Sequence, residues 1–196
     1  MPKVGMEPIR RIALVAATID EIGQAGTLDV TVSQIARRAG VSSALAHHYF
    51  GSKEKILLAA MRYILTVFGH EAREALATVL PPRERLAAII EVCFSSTSYR
   101  PEVASAWLNF YVLAQTSDEA KRLLHIYHAR LHSNLVHALR PIAGSAAVSI
   151  AESTSALIDG LYIRQVLQHP PLDHASVIKA LNAHVDAALC AQRRTQ

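Results

Sequence analysis

The sequence predicts an all-α chain. Apolar residues recur at three- and four-residue spacing almost from end to end, the repeat of a helix with one buried face. No stretch alternates strictly enough to read as a half-buried strand. The breaks between periodic segments are glycines, prolines and hydroxyl residues in capping positions, which punctuate helices.

In chain order, Ile12, Val15, Ile19 and Ile22 form one apolar stripe on a first helix that starts near Pro8 and ends at Gly23 and Gly26. "TVSQ" at 31–34 is a capping box, in which Thr31 and Gln34 satisfy each other's backbone amides. Gly40 closes this short second helix as a left-handed C′ residue. Ser42 caps a third helix through "SALAHHY", Gly51 breaks it, and Ser52 caps a long helix running toward Pro81-Pro82. Further helices are predicted over 83–98, 101–115, 117–140, 145–168 and 173–192. Pro101, the "TSDE" box at 116–119, Pro141 with Gly144, and Pro170-Pro171 separate them. Residues 1–51 read as one domain and 52–196 as a second, with no low-complexity linker and no repeat.

Composition limits the function classes. The chain has 196 residues, 51% hydrophobic and 18% charged, enough for a sizeable core. No uncharged apolar run reaches the ~18–20 residues that span a bilayer. Asp20 and Glu21 interrupt what would be the apolar part of a leader. The reading is a soluble cytoplasmic chain with no membrane partner. Cys93 and Cys190 lie far apart, match no metal spacing, and read as buried thiols of a reducing compartment. Most of the net charge of +4 falls in residues 1–62, where eight Lys/Arg face five Asp/Glu. That asymmetry fits a nucleic-acid-binding head on a near-neutral body.

Two short helices joined by "AGVS" have the layout of a helix-turn-helix. Ala36, four residues before Gly40, is small enough for the helices to cross closely, and Val41 fills the crevice between them. On the second helix Leu45, Ala46 and Tyr49 share one side, and Ser43, Ala44, His47 and His48 the other. A face meant only for solvation would carry Lys and Glu. A face of low bulk with donors and acceptors suits base edges in a major groove. Lys53 and Lys55, with Arg10, Arg11, Arg37 and Arg38, can neutralise phosphates around it.

The run "TVSQIARRAGVSSALAHHYFGSKEKIL" resembles the DNA-binding segment of the tetracycline-repressor (TetR) family of bacterial one-component regulators. The resemblance implies an all-α, two-domain homodimer: a three-helix DNA-binding head plus a helical ligand-binding and dimerisation body. It carries Thr31, Ser42, Ser43, His47, Tyr49 and Lys53 over as contacts to double-stranded operator DNA. Ala44 and His48 join them from their face alone. Where the family usually has tyrosine this chain has His47, so a phosphate contact is expected to change, or to give way to base reading. "MPKVGMEPIRR", "AWLNF", "LIDGLYIR" and "PLD" resemble the choline-responsive repressors of glycine betaine synthesis genes within that family. They imply a small-molecule effector, choline.

A quaternary cation is best held by aromatic faces. Trp107, Phe110 and Tyr111 share one helical face, and Tyr162 follows Asp159 by three residues in an apolar helix. Phe94, Tyr99 and Tyr127 are further candidates. Asp159 is costly to bury unpaired, so either Arg164 or another donor satisfies it or a ligand does. Plain core packing is the competing reading of the rings. His125, His128 and His132 stand at i, i+3 and i+7, with His137 beyond, a spacing open to zinc. No Cys or Asp shares their face, so neither metal nor cofactor is assigned. Glu-x-x-His pairs, a P-loop and a Gly-x-Ser-x-Gly elbow are all absent, which argues against an enzyme. A repressor of another operon, such as one for efflux, is the alternative. The segments 145–168 and 173–192 are apolar or small on more than one face. A homodimer packed through these last two helices is the expected solution.

Overall fold

The computed structural model describes residues 5–95, 97, 100–167 and 173–193, apart from the side chains of residues 165 and 166. Tyr99 and Pro170-Pro171 lie outside the described residues. Nine α-helices follow one another there without a strand: α1 (Met6–Ala25), α2 (Val32–Arg38), α3 (Ser43–Phe50), α4 (Lys53–Ala75), α5 (Pro82–Cys93), α6 (Pro101–Leu113), α7 (Asp118–Ala143), α8 (Ala147–Leu167) and α9 (His174–Arg193). None of them is long and apolar enough to cross a membrane.

The ends follow local chemistry. Thr31 Oγ1 accepts from the Gln34 amide and the Gln34 side chain accepts from the Thr31 amide, completing the capping box. After α2 the Val41 amide donates to the Ala36 carbonyl and the Gly40 amide to that of Arg37, a Schellman closure around Gly40 at φ +68°. Ser42 caps α3 through the Leu45 amide, and Ser52 caps α4 through that of Lys55. Prolines open α5 and α6, where a missing N–H costs nothing. Asp173 accepts from the Ser176 amide at the start of α9.

Several boundaries differ from expectation: α4 ends at Ala75, short of Pro81-Pro82, and α5, expected to 98, ends at Cys93. Ser117, not Thr116, caps α7, its Oγ accepting from the Ala120 amide. Pro141 does not end α7, which continues to Ala143 before a 3-10 turn at Gly144–Ala146. So close to the helix end the proline's ring and its fixed φ cost little, and Gly144 at φ +54° makes the real break.

The chain forms two compact units: Met1–Thr66 with Arg100–Leu123, and Val67–Tyr99 with Leu124–Gln196. The first thus takes in α6 as well as the three-helix head. Its core includes Leu14, Ile22, Ile35, Ala46, Ile56 and Phe110. Gly23 lets α6 approach α1 at backbone distance, since a Cβ there would lie 2.5 Å from the Cα of Glu102. The Asn109 amide also donates to the Gly26 carbonyl, and Arg100 pairs with Asp20. Ile12, expected on the buried stripe, is 59% exposed. The buried face of α1 begins instead at Leu14 and runs through Val15, Thr18, Ile19 and Ile22.

The second unit packs α5, α7, α8 and α9 around Leu86, Ile90, Phe94, Leu135, Ile158 and Leu181. Val177, Leu181, Val185 and Leu189 of α9 are buried against their own chain, so they need no partner subunit. The exposed residues of α8 and α9 are mostly small or polar, among them Ser149, Ala156, Gly160, Ala183 and Ala187.

Gly23→Ala is expected to destabilise the fold by roughly 1–3 kcal/mol despite alanine's better helix propensity, because the added methyl collides with the α6 backbone. Urea denaturation checks this. A variant as stable as the parent would mean that the crossing yields without strain.

Candidate functional site

The helix-turn-helix is built as its sequence requires. Ala36 is 1% exposed in the α2 core, and Ala46 of α3 is fully buried. The opposite face of α3 presents Ala44, His47 and His48 to solvent, with Ser43 half-buried and its Oγ 3.1 Å from that of Ser33. His47 Nδ1 lies 3.5 Å from the Gly51 carbonyl, so the ring leans along the C-terminal end of α3. Low bulk, two imidazoles and a serine make a surface able to enter a groove and read base edges. Thr31 is exposed and already engaged by its own cap, and Ser42 likewise.

The basic residues divide into two sets. Arg11 donates to the Tyr49 carbonyl at 2.7 Å, and its guanidinium lies 5.1 and 5.2 Å from the Tyr49 and Phe50 ring centres. Glu7 holds the same guanidinium at 2.8 Å. Arg38 binds Glu21 and Gln24 of α1. These two arginines, expected at phosphates, fasten α3 and α2 to α1. Lys53 sits 3.8 Å from exposed Asp29, a loose surface pair that a phosphate can replace. Arg37 and Lys55 are exposed, and no ion pair holds them or Arg10 among the described residues.

The five expected effector residues fall in different units. Trp107, Phe110 and Tyr111 belong to the first; Asp159 and Tyr162 belong to the second. Trp107 is 6% exposed, with the rings of Phe110 and Tyr111 edge-on at 6.4 and 5.9 Å. In the second unit Asp159 meets His128 rather than Arg164, with Oδ2 3.3 Å from Nε2. The Tyr127 ring lies 5.2 Å from His128 and 5.4 Å from Phe68, and Tyr162 lies 6.3 Å from Phe94. Asp159 thus meets an imidazole that in turn adjoins a ring pair, Tyr127 and Phe68.

Sequence reasoning had His128 on a histidine face but missed its pairing with Asp159, because the two stand on separate helices and no local spacing joins them. Phe68 was missed for the same reason. His125 is exposed. Among the described residues no three His, Cys, Asp or Glu side chains converge as metal ligands.

Cys93 adjoins this cluster. Burial, and secondly the Asp159 charge, push its thiol up to about 12 from an ordinary 9.0. Proton binding is thus tighter in the folded state, so the thiol's contribution to stability is intact below pH 9 and is lost between 9 and 12. Cys190 is exposed. At pH 8 a thiol-specific chromogenic reagent is expected to titrate Cys190 promptly and Cys93 only after denaturation. Rapid reaction of both thiols in the native protein would contradict the burial of Cys93.

Comparison with known proteins gives the chain its relatives. Residues 14–60 match the family of bacterial regulatory proteins of the tetR type, and residues 82–190 match the BetI-type transcriptional repressor C-terminal family. HTH-type transcriptional regulator BetI of Brucella melitensis biotype 2 is 52% identical over 98% of each chain. BetI of Rhizobium meliloti is 50% identical over 96% of this chain and 94% of that one. Among solved structures, a regulator from Pseudomonas aeruginosa PAO1 has a TM-score of 0.82 at 26% identity, covering 99% of this chain and 97% of that one. A regulator from Saccharomonospora viridis, solved in complex with choline, superposes with a TM-score of 0.82 at 24% identity, covering 90% and 95%, a likeness of fold. With a tetR-type helix-turn-helix at its start and a BetI-type domain over more than half its length, the chain is a DNA-binding transcriptional repressor, not an enzyme, and belongs to the BetI-type group of the TetR family.

Proposed function

We propose that the protein is a cytoplasmic homodimer that represses choline uptake and glycine betaine synthesis genes and leaves its operator when choline binds. The observation that carries the choline reading is Asp159, a carboxylate that meets His128, itself beside the Tyr127 ring, inside the region that matches the BetI-type domain. Aromatic faces and one carboxylate suit a small cation that offers no N–H donors from its ammonium. The solved relative from Saccharomonospora viridis, which holds choline, supports the same reading. Asp159 and Tyr162 are the proposed primary contacts. Trp107, Phe110 and Tyr111 are proposed to take part in the response, as their aromatic face implies.

Residues 1–51 are proposed to read DNA and 52–196 to sense and dimerise. Thr31, Ser42, Ser43, Ala44, His47, His48, Tyr49 and Lys53 are the proposed operator contacts. The small exposed residues of α8 and α9 suit close packing against their two-fold copies in a four-helix interface. Two heads related by that axis would read a palindrome. Choline must favour the arrangement with wrongly spaced heads, because equal affinity for both states shifts nothing.

Lys53→Ala is expected to weaken operator and random DNA alike and to lower the salt slope by about one. His47→Ala is expected to alter base preference at one operator position. Binding isotherms on operator, point-substituted and random duplexes separate the two effects, and equal losses from both variants would reduce His47 to a positioning role.

Choline is expected to change the emission of Trp107, the only tryptophan, and to release operator DNA. Asp159→Asn should raise the choline concentration needed by about tenfold or more, with operator affinity unchanged. Glycine betaine, whose own carboxylate Asp159 repels, should release less well. Trp107→Phe, which largely preserves core volume, tests the aromatic face of α6. Release by lipophilic compounds but not by choline would overturn the proposal.

A further inference from the structure

The second unit contains a cavity of about 360 Å3 lined by the chain between α4 and α5, the first turn of α5 and the last turns of α7. That volume lies within the roughly 300–1,000 Å3 usual for small-molecule sites. Leu76, Leu80, Pro82, Ala138 and Pro141 give it mainly apolar walls. Its ionisable lining residues are Arg85 of α5 and His137 of α7, neither of them part of the Asp159 cluster.

Arg85 is the anomaly. Its Nε is buried and has no hydrogen-bond partner, and no carboxylate pairs with the side chain among the described residues. Arg83, two positions earlier, shows the ordinary outcome: its guanidinium donates to Asp186 and Asn182 of α9 at 3.0 and 2.8 Å. The Arg85 Nε is itself out of reach of solvent, so a ligand meets Arg85 through the rest of the side chain, which lines the cavity and which a charged acceptor answers best. No side chain caps the start of α5, so its dipole adds positive potential at the same end.

We propose that this cavity is a second ligand site, selective for a small organic carboxylate with an apolar body. The carboxylate meets Arg85, with His137 as a second polar neighbour, and the acyl or aryl body lies against the apolar walls. The fixed charge of Arg85 disfavours a quaternary cation, so the site takes a ligand of opposite sign to the one proposed for Asp159. The apolar walls disfavour inorganic phosphate, which has nothing to place against them.

Titration calorimetry of the full chain with sodium octanoate tests this, with 1-octanol and inorganic phosphate as probes of tail and charge alone. Saturable binding of octanoate at one site per chain is expected, with both controls weaker. Arg85→Gln should weaken octanoate by about tenfold or more, the loss of a charge-assisted hydrogen bond. Val79→Asp should also weaken it, by placing a negative charge at a lining residue that is fully exposed and not needed for folding. Arg83→Gln should leave it unchanged. The proposal fails if octanoate does not bind, or if 1-octanol or phosphate binds as well. It fails equally if octanoate binding survives both Val79→Asp and a folded Arg85→Gln, with folding checked by helical circular dichroism.

Discussion

The crossing of α1 and α6 at Gly23 is the constraint on which the first unit depends. A helix surface normally keeps its neighbour's axis 8–10 Å away, and absence of a side chain is what permits a closer approach. Here the backbone of Glu102 occupies the place of a Cβ at Gly23. The Arg100–Asp20 pair and the Asn109 bond to the Gly26 carbonyl flank that contact on the same two helices. As a result a segment distant in sequence, 100–113, is structurally part of the DNA-binding end. Any shift of α6 must carry α1 with it, and α1 holds both helices of the helix-turn-helix through Arg38 and Arg11. Close packing of the kind seen at Gly23 leaves little slack for a continuous deformation, so such a unit moves as a body.

Most of this architecture was legible in the sequence because it rests on local rules. The Thr31–Gln34 box, Gly40, Ser42 and Ser52 each state a helix end within four residues, and the structure uses every one of them. What was not legible depended on packing between distant segments. Ile12 has the spacing of a buried residue but is exposed. Gly23 reads as a helix terminator, yet it lies inside α1, its role set by a helix nearly eighty residues further on. The apolar face of α9 suggested a subunit interface only because the sequence could not show that α5 and α8 already cover it.

The sites divide along the same line. The outward face of α3 follows from helical periodicity, so Ala44, His47 and His48 were placed correctly from spacing alone. Asp159 could be recognised as an oddity, because a carboxylate in an apolar helix needs a partner wherever it folds. The identity of that partner could not, since His128 stands on another helix and Arg164, the near candidate, is exposed. Likewise the rings of α6 and those around Asp159 look like one aromatic set in the sequence but belong to different units.

The two arginines that hold α2 and α3 to α1 bear on how strongly the head is drawn to DNA of any sequence. Each basic side chain that neutralises a phosphate releases counterions, and that release supplies nearly all of the attraction to DNA of arbitrary sequence. With Arg11 and Arg38 paired within the head, the basic side chains left for that purpose among the described residues include Arg10, Arg37, Lys53 and Lys55. Fewer counterions released per head means a weaker attraction to DNA of arbitrary sequence.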